Sequence, residues 1–147
     1  MRFFEDTTPG DEIGVVEFGP VTIIDTVRWA GVQENWEQVH WDREFARDHS
    51  RLRTFIASGS YRQALLARML TDWIGPRGVL RKLRVRHTAP TFEGDLIRYG
   101  GRVVEKSSRT DDPWVACDLE GKNQAGQAIL LGHCVFQLPS RGSMQKG

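Results

Sequence analysis

The chain has 147 residues and two cysteines, the size of one domain able to bury a core without cross-links. Its formal net charge of +1 gives no long-range attraction to nucleic acid or anionic membrane, and no apolar run reaches the length of a membrane span. The opening Met1-Arg2-Phe3-Phe4-Glu5-Asp6 turns acidic too soon for the apolar core of a secretion signal, so a cytoplasmic location is expected.

Thr8-Pro9-Gly10-Asp11-Glu12 is turn chemistry. A short strand is expected over residues 13–16, Phe18-Gly19-Pro20 breaks it, and residues 21–24 read as a second short strand. Asp25 is the expected N-cap of a helix over residues 26–33, with Val27, Ala30 and Gly31 on one face.

Next comes the most informative segment, Asn35-Trp36-Glu37-Gln38-Val39-His40-Trp41-Asp42, with Phe45-Ala46 just beyond it. A histidine can take or give a proton near neutral pH, and a neighbouring amide or carboxylate can hold a water against it. That pairing suits adding water to a polarised double bond, or removing it. Asn35 has a plainer use as a turn residue, and His40 as a structural hydrogen-bonding group.

A short helix is expected over residues 43–48. Ser58-Gly59-Ser60 then opens the strongest helix, over residues 60–74, where Tyr61, Leu65, Met69 and Trp73 recur at i, i+4. Ala64, Leu66, Ala67, Leu70 and Ile74 widen the stripe until only Arg62, Gln63, Arg68 and Asp72 stay polar, so this helix should be largely enclosed. Gly75-Pro76 ends it. From Val79 onward the period is two, with strands expected over residues 79–88, 95–106, 114–122 and 127–138. Residues 140–147 read as a flexible tail after a single domain over residues 1–139. One enclosed helix followed by a long antiparallel meander predicts an α+β fold, an antiparallel sheet wrapped around a central helix.

Cys117 and Cys134 fall on successive strands flanking Asn123-Gln124-Ala125-Gly126 and could stand nearly opposite each other. Reduced, half-buried thiols are the expectation. His40, His49, His87 and His133 are scattered and form no Cys/His pair at ligand spacing, so no metal is expected.

These residues, in this order, resemble the MaoC-like, hydratase-2 group of hotdog-fold enoyl-thioester hydratases and dehydratases. In that family an aspartate, or in some branches an asparagine, precedes the catalytic His by five residues. An aspartate follows two residues after the His, and Phe-Ala or Tyr-Ala lies beyond. Asn35, His40, Asp42 and Phe45-Ala46 match those places. The stretch from Leu83 to Pro90 with Gly94-Asp95, and the opening Phe4-Glu5-Asp6, Gly10-Asp11 and Gly19-Pro20-Val21-Thr22, are similar to the family as well. Where the family has His-Gly at the start of the central helix, this sequence has Ser58-Gly59. Thr71 to Pro76 looks like the corresponding helix end in subunits of heteromeric MaoC-like hydratases, some of which act on bulky acyl-CoA esters including steroid side chains.

The resemblance implies a single hotdog domain that adds water reversibly to a 2-enoyl thioester of CoA or acyl carrier protein, with no metal or redox cofactor. It makes His40 the general acid/base and leaves Asn35 to orient the water or merely to mark an impaired site. Glu34 and Glu37 are nearby substitutes for the missing acid, disfavoured because a shift of one or two places redirects the side chain. Gly59 becomes the oxyanion donor at a helix N-terminus, and Ser58 a donor or only the helix cap. Asp42 is expected to anchor the loop or cap the following segment. Lys82, Arg84 and Arg86 alternate on one strand face; a solvated face is the plain reading, with Arg84 and Arg86 on CoA phosphates as the alternative. A dimer of identical or related MaoC-like chains is expected. The competing readings are a non-catalytic or half-site subunit of a heteromer and, lower, a hotdog thioesterase using Glu37.

Overall fold

The computed structural model describes residues 2–109 and 111–142. Five strands form one antiparallel sheet: β1 (Val16–Phe18), β2 (Val79–His87), β3 (Ile97–Lys106), β4 (Trp114–Lys122) and β5 (Ala128–Gln137), in the order β1-β3-β4-β5-β2. Three helices, α1 (Ile23–Gln33), α2 (Arg43–Asp48) and α3 (Gly59–Ile74), precede β2. The four long strands fall where period-two patterning puts them.

Several readings need correction. The stretch over residues 21–24 is not a strand, because Ile23 and Ile24 are the first residues of α1. Two β-branched residues together imitate a strand, but Thr22 and Asp25 close a capping box. Asp25 N–H donates to Thr22 Oγ1 at 3.3 Å and Thr22 N–H donates to the Asp25 carboxylate at 2.9 Å. Asp25 is therefore the third residue of the helix, and Thr22 is its N-cap.

Nor do the long strands form a simple meander. β2 does not pair with β3; it pairs antiparallel with β5 across the sheet. Residues 88–96 make the crossover beneath the start of α3, held there by a bridge between Ile56 and Phe92 and by Ala57 N–H donating to the Thr91 carbonyl at 2.8 Å. The early strand also falls slightly later than expected, at Val16–Phe18, while Glu12 makes only an isolated bridge to Arg102.

α3 lies against the sheet with Leu66, Met69, Leu70 and Ile74 buried, and Trp73 packs on Phe136 with ring centroids 5.6 Å apart. One side stays wet, with Gln63, Arg68, Thr71 and Asp72 exposed, so the helix is enclosed less fully than its composition predicts. Arg62 reverses expectation: it belongs to the buried face. Its guanidinium donates to the carbonyl of Ala89 at 2.8 Å, to Thr91 Oγ1 at 3.2 Å and to the carbonyl of Ile129 at 3.4 Å. It thereby ties the helix to the crossover and to β5. Burial pushes its pKa below the ordinary arginine value.

Cys117 and Cys134 are direct cross-strand partners, buried and unbridged. Their mutual hydrogen bond and burial push the Cys134 thiol up, so it stays protonated. At the far end Ser140 Oγ donates to Glu5, and Arg141 pairs with Asp6. Residues 143–147 of the expected tail lie outside the described residues.

Candidate active site

His40 ends a single 3-10 turn, Gln38–His40, on the link between α1 and α2. Its Nδ1 lies 2.9 Å from the Ile56 carbonyl. A carbonyl only accepts, so in the neutral ring Nδ1 carries the hydrogen and Nε2 keeps its lone pair. The backbone repeats the attachment, with Ile56 N–H donating to the Val39 carbonyl at 3.2 Å. The imidazole is thus fixed to the strand-like segment that leads into α3.

Asn35 N–H donates to the Ala30 carbonyl at 3.1 Å, while its side-chain Oδ1 accepts from Glu37 N–H at 3.4 Å. The turn reading of Asn35 therefore has direct support. Asp42 caps α2 by accepting from Phe45 N–H at 3.0 Å, as expected of it. Ala46 is fully buried and Phe45 stacks on His49 with centroids 4.7 Å apart, so the Phe-Ala pair serves packing. Asp95 is buried and accepts from Phe92 N–H at 2.8 Å and Gln124 Nε2 at 2.9 Å, which makes Gly94-Asp95 a turn anchor.

Ser58 is the N-cap of α3, its Oγ accepting from Tyr61 N–H at 3.2 Å. Beside it, Ser60 Oγ accepts from Trp29 Nε1 at 3.0 Å and donates to Gln33. These bonds latch the second half of α1 onto the first turn of α3. The latch creates a crevice lined by Thr26, Trp29, Ala30, Gln33, Asn35, His40 and Ser58, with about 10 Å³ available to the centre of a water molecule. That is room for roughly one water. Three of the expected site residues, His40, Asn35 and Ser58, therefore share one crevice, and Gly59 adjoins it.

Gly59 opens α3, and no acceptor among the described residues meets its N–H. A Cβ at this position would come within 3.0 Å of His87 Nε2. Its lack of a side chain thus has a steric use, which is compatible with offering the N–H at the positive end of the helix.

Arg84 and Arg86 are exposed and alternate with half-buried Leu83, Val85 and His87 on β2. They project from the sheet face opposite α3, where the row also holds His133, hydrogen-bonded to Asp118 at 2.9 Å. Within this chain they do not join the crevice. Among the described residues no three His, Cys, Asp or Glu side chains gather closely enough to hold a metal ion, and no helix is long and apolar enough to cross a membrane.

Two residues emerge that sequence reasoning undervalued. Glu37 places Oε2 3.6 Å from His40 Nε2. His87 inserts its ring under Gly59, with Nδ1 buried and unpartnered among the described residues. Burial first, and then the charge of Arg62, push His87 below its ordinary value of 6.5. Folded protein therefore binds fewer protons at this ring than unfolded protein once the pH drops below 6.5. The associated stability is complete above that pH and is lost as the pH falls toward the folded pKa. His87→Phe should flatten this slope: between pH 7.5 and 5.5, thermal melts of the unmutated protein should lose more Tm than those of H87F. Equal losses would show that another group sets the slope.

The enclosed helix and wrapped antiparallel sheet define a hotdog domain. The chain belongs to the MaoC-like domain family, which matches residues 5–121. It is similar to the unliganded R-hydratase PhaJ1 of Pseudomonas aeruginosa at 22% identity and a TM-score of 0.83, over 94% of this chain and 86% of that one. A chain of the ChsH1–ChsH2 complex of Mycobacterium tuberculosis is similar at 18% identity and a TM-score of 0.79, over 90% of this chain and 98% of that one. A MaoC-like dehydratase reaches 28% identity and a TM-score of 0.83, over 92% of this chain and 42% of that longer one. No significant match among curated proteins was found.

Proposed function

We propose that the protein is an enoyl-thioester hydratase and (R)-3-hydroxyacyl-thioester dehydratase, with His40 as its general acid/base. The observation that carries this reading is the convergence of an imidazole fixed through Nδ1 with Asn35 and Ser58 around a one-water crevice at the start of α3.

In hydration, Nε2 takes a proton from water while the water oxygen bonds to the β-carbon. The double-bond electrons move onto the thioester oxygen as an enolate. The imidazolium then returns the proton to the α-carbon, and the ring is neutral again. The Gly59 N–H stabilises the enolate oxygen, helped by the helix dipole. Asn35 and Ser58 line the water and thioester path. The reaction is redox-neutral, so the proposal calls on no redox cofactor. The acyl group rides on CoA or on acyl carrier protein; Arg84 and Arg86, exposed on the face opposite α3, are the candidate partners of a CoA phosphate.

A second reading has its own support. Asn35 stands where a carboxylate is usual, Ser58 replaces the usual His, and one neighbour is a chain of a two-component complex. β2 is also an edge strand, paired on one side only. This favours a dimer, homomeric or with a second MaoC-like subunit that completes a half-site for a bulky acyl-CoA such as a steroid ester. Thioesterase chemistry ranks lower, because Glu37 faces His40 rather than standing alone as a nucleophile.

Purified chain incubated with crotonyl-CoA and with a longer enoyl-CoA should consume the enoyl absorbance unaided. Silence alone, with activity once a homologous subunit is added, selects the half-site reading. Release of free thiol without hydration selects the thioesterase.

A further inference from the structure

We infer that Glu37 supplies the carboxylate that partners His40, in place of the acid missing at residue 35; this inference rests on the hydratase reading. Glu37 immediately precedes the 3-10 turn Gln38–His40. At three residues per turn, side chains three apart eclipse, and Glu37 Oε2 accordingly lies 3.6 Å from His40 Nε2. Because Nδ1 is committed to the Ile56 carbonyl, the nitrogen that faces Glu37 is the one left to act as base.

The spacing is longer than a direct hydrogen bond and is that of an ion pair once the ring carries its second proton. No arginine or lysine among the described residues pairs with Glu37, and its side chain is two-thirds exposed, at 67%. Its carboxylate is therefore not engaged elsewhere. Asn35 contributes indirectly: by accepting from Glu37 N–H it sets the start of the turn. Asn35 is thus a positioning residue for Glu37, and Glu37, outside the crevice lining, acts through the ring of His40.

The step balances with this assignment. One water hydrogen passes to Nε2, the other stays on the oxygen, and the oxygen bonds to the β-carbon as the double-bond electrons shift to the thioester oxygen. The carboxylate offsets the positive charge of the imidazolium until its proton returns to the α-carbon. No other reactant is consumed.

The test is steady-state hydration of crotonyl-CoA by the unmutated protein, E37Q, and E37Q combined with N35D, in whichever assembly is active. Glutamine keeps the size and the accepting oxygen but not the charge. E37Q should lower kcat about 100-fold with KM held within about twofold, and its Tm should stay within about two degrees, as for an exposed pair. Adding N35D returns a carboxylate from the neighbouring wall and should recover at least about tenfold of that loss. A merely structural Glu37 gives no such recovery. E37Q turning over at the unmutated rate overturns the inference, and so does a loss that N35D leaves unrepaired. If the unmutated protein hydrates nothing, with or without a homologous partner, the hydratase reading itself falls.

Discussion

Replacing His40 with alanine should lower kcat for crotonyl-CoA hydration about 1,000-fold. The expectation follows from a ring with one nitrogen committed to a carbonyl and the other keeping its lone pair. Nδ1 donates to Ile56, so Nε2 is the only imidazole atom able to take the water proton, and Asn35 cannot ionise in its stead. Stability should suffer much less. The variant gives up one hydrogen bond, about 1 kcal/mol, and the attachment between Ile56 N–H and the Val39 carbonyl survives. His40→Asn is the informative companion, because its amide can still donate toward Ile56 while providing no base. Both variants should be equally inactive, and H40N should melt closer to the unmutated protein. Appreciable hydration by either variant would remove His40 from the chemistry. A collapse of the fold in both would assign it to structure.

The parts of this molecule readable from sequence are those governed by local periodicity. α3 and the four long strands were legible because apolar side chains recur at the helical or strand spacing over nine or more residues. The start of α1 was not, since Ile23-Ile24 looks like strand and only the pairing of Thr22 with Asp25 reveals a helix start. Partner choice between strands is non-local. Nothing in residues 79–87 states that they pair with β5 and leave β3 alone.

The site divides in the same way. His40, Asn35 and Ser58 could be gathered through the order and spacing of the motifs. The reach of Glu37 could not, because three residues of separation bring side chains together in a 3-10 turn but apart in an extended chain. His87 did carry a signal. It continues the Leu83, Val85 alternation and so belongs to the face turned toward α3, although the charged residues around it disguise the pattern.

The largest stability change should come from Tyr99→Ala. Tyr99 is completely buried on β3, tilted against Phe18 with centroids 6.1 Å apart. Directly across the ladder stands Gly121, where a Cβ would fall 2.7 Å from the Tyr99 ring, so the glycine makes room for the aromatic. The phenol donates to the Arg62 carbonyl at 2.9 Å. Burial pushes the Tyr99 pKa up, keeping that donor protonated at any physiological pH. Removing the ring leaves a cavity that the paired strands cannot close by collapsing, so Y99A should cost about 3–5 kcal/mol, a Tm drop of roughly 10–15 °C for a domain of this size. Y99F, which loses only the hydroxyl, should cost about 1 kcal/mol. Urea unfolding of the two variants separates the contributions, and equal losses would place the energy in the hydrogen bond. Because that bond reaches the same first turns of α3 that present Gly59 and cover His87, Y99F should also weaken hydration modestly while the rest of the sheet stays intact. The ring therefore stabilises the sheet, and its hydroxyl sets the helix start on which the proposed chemistry depends.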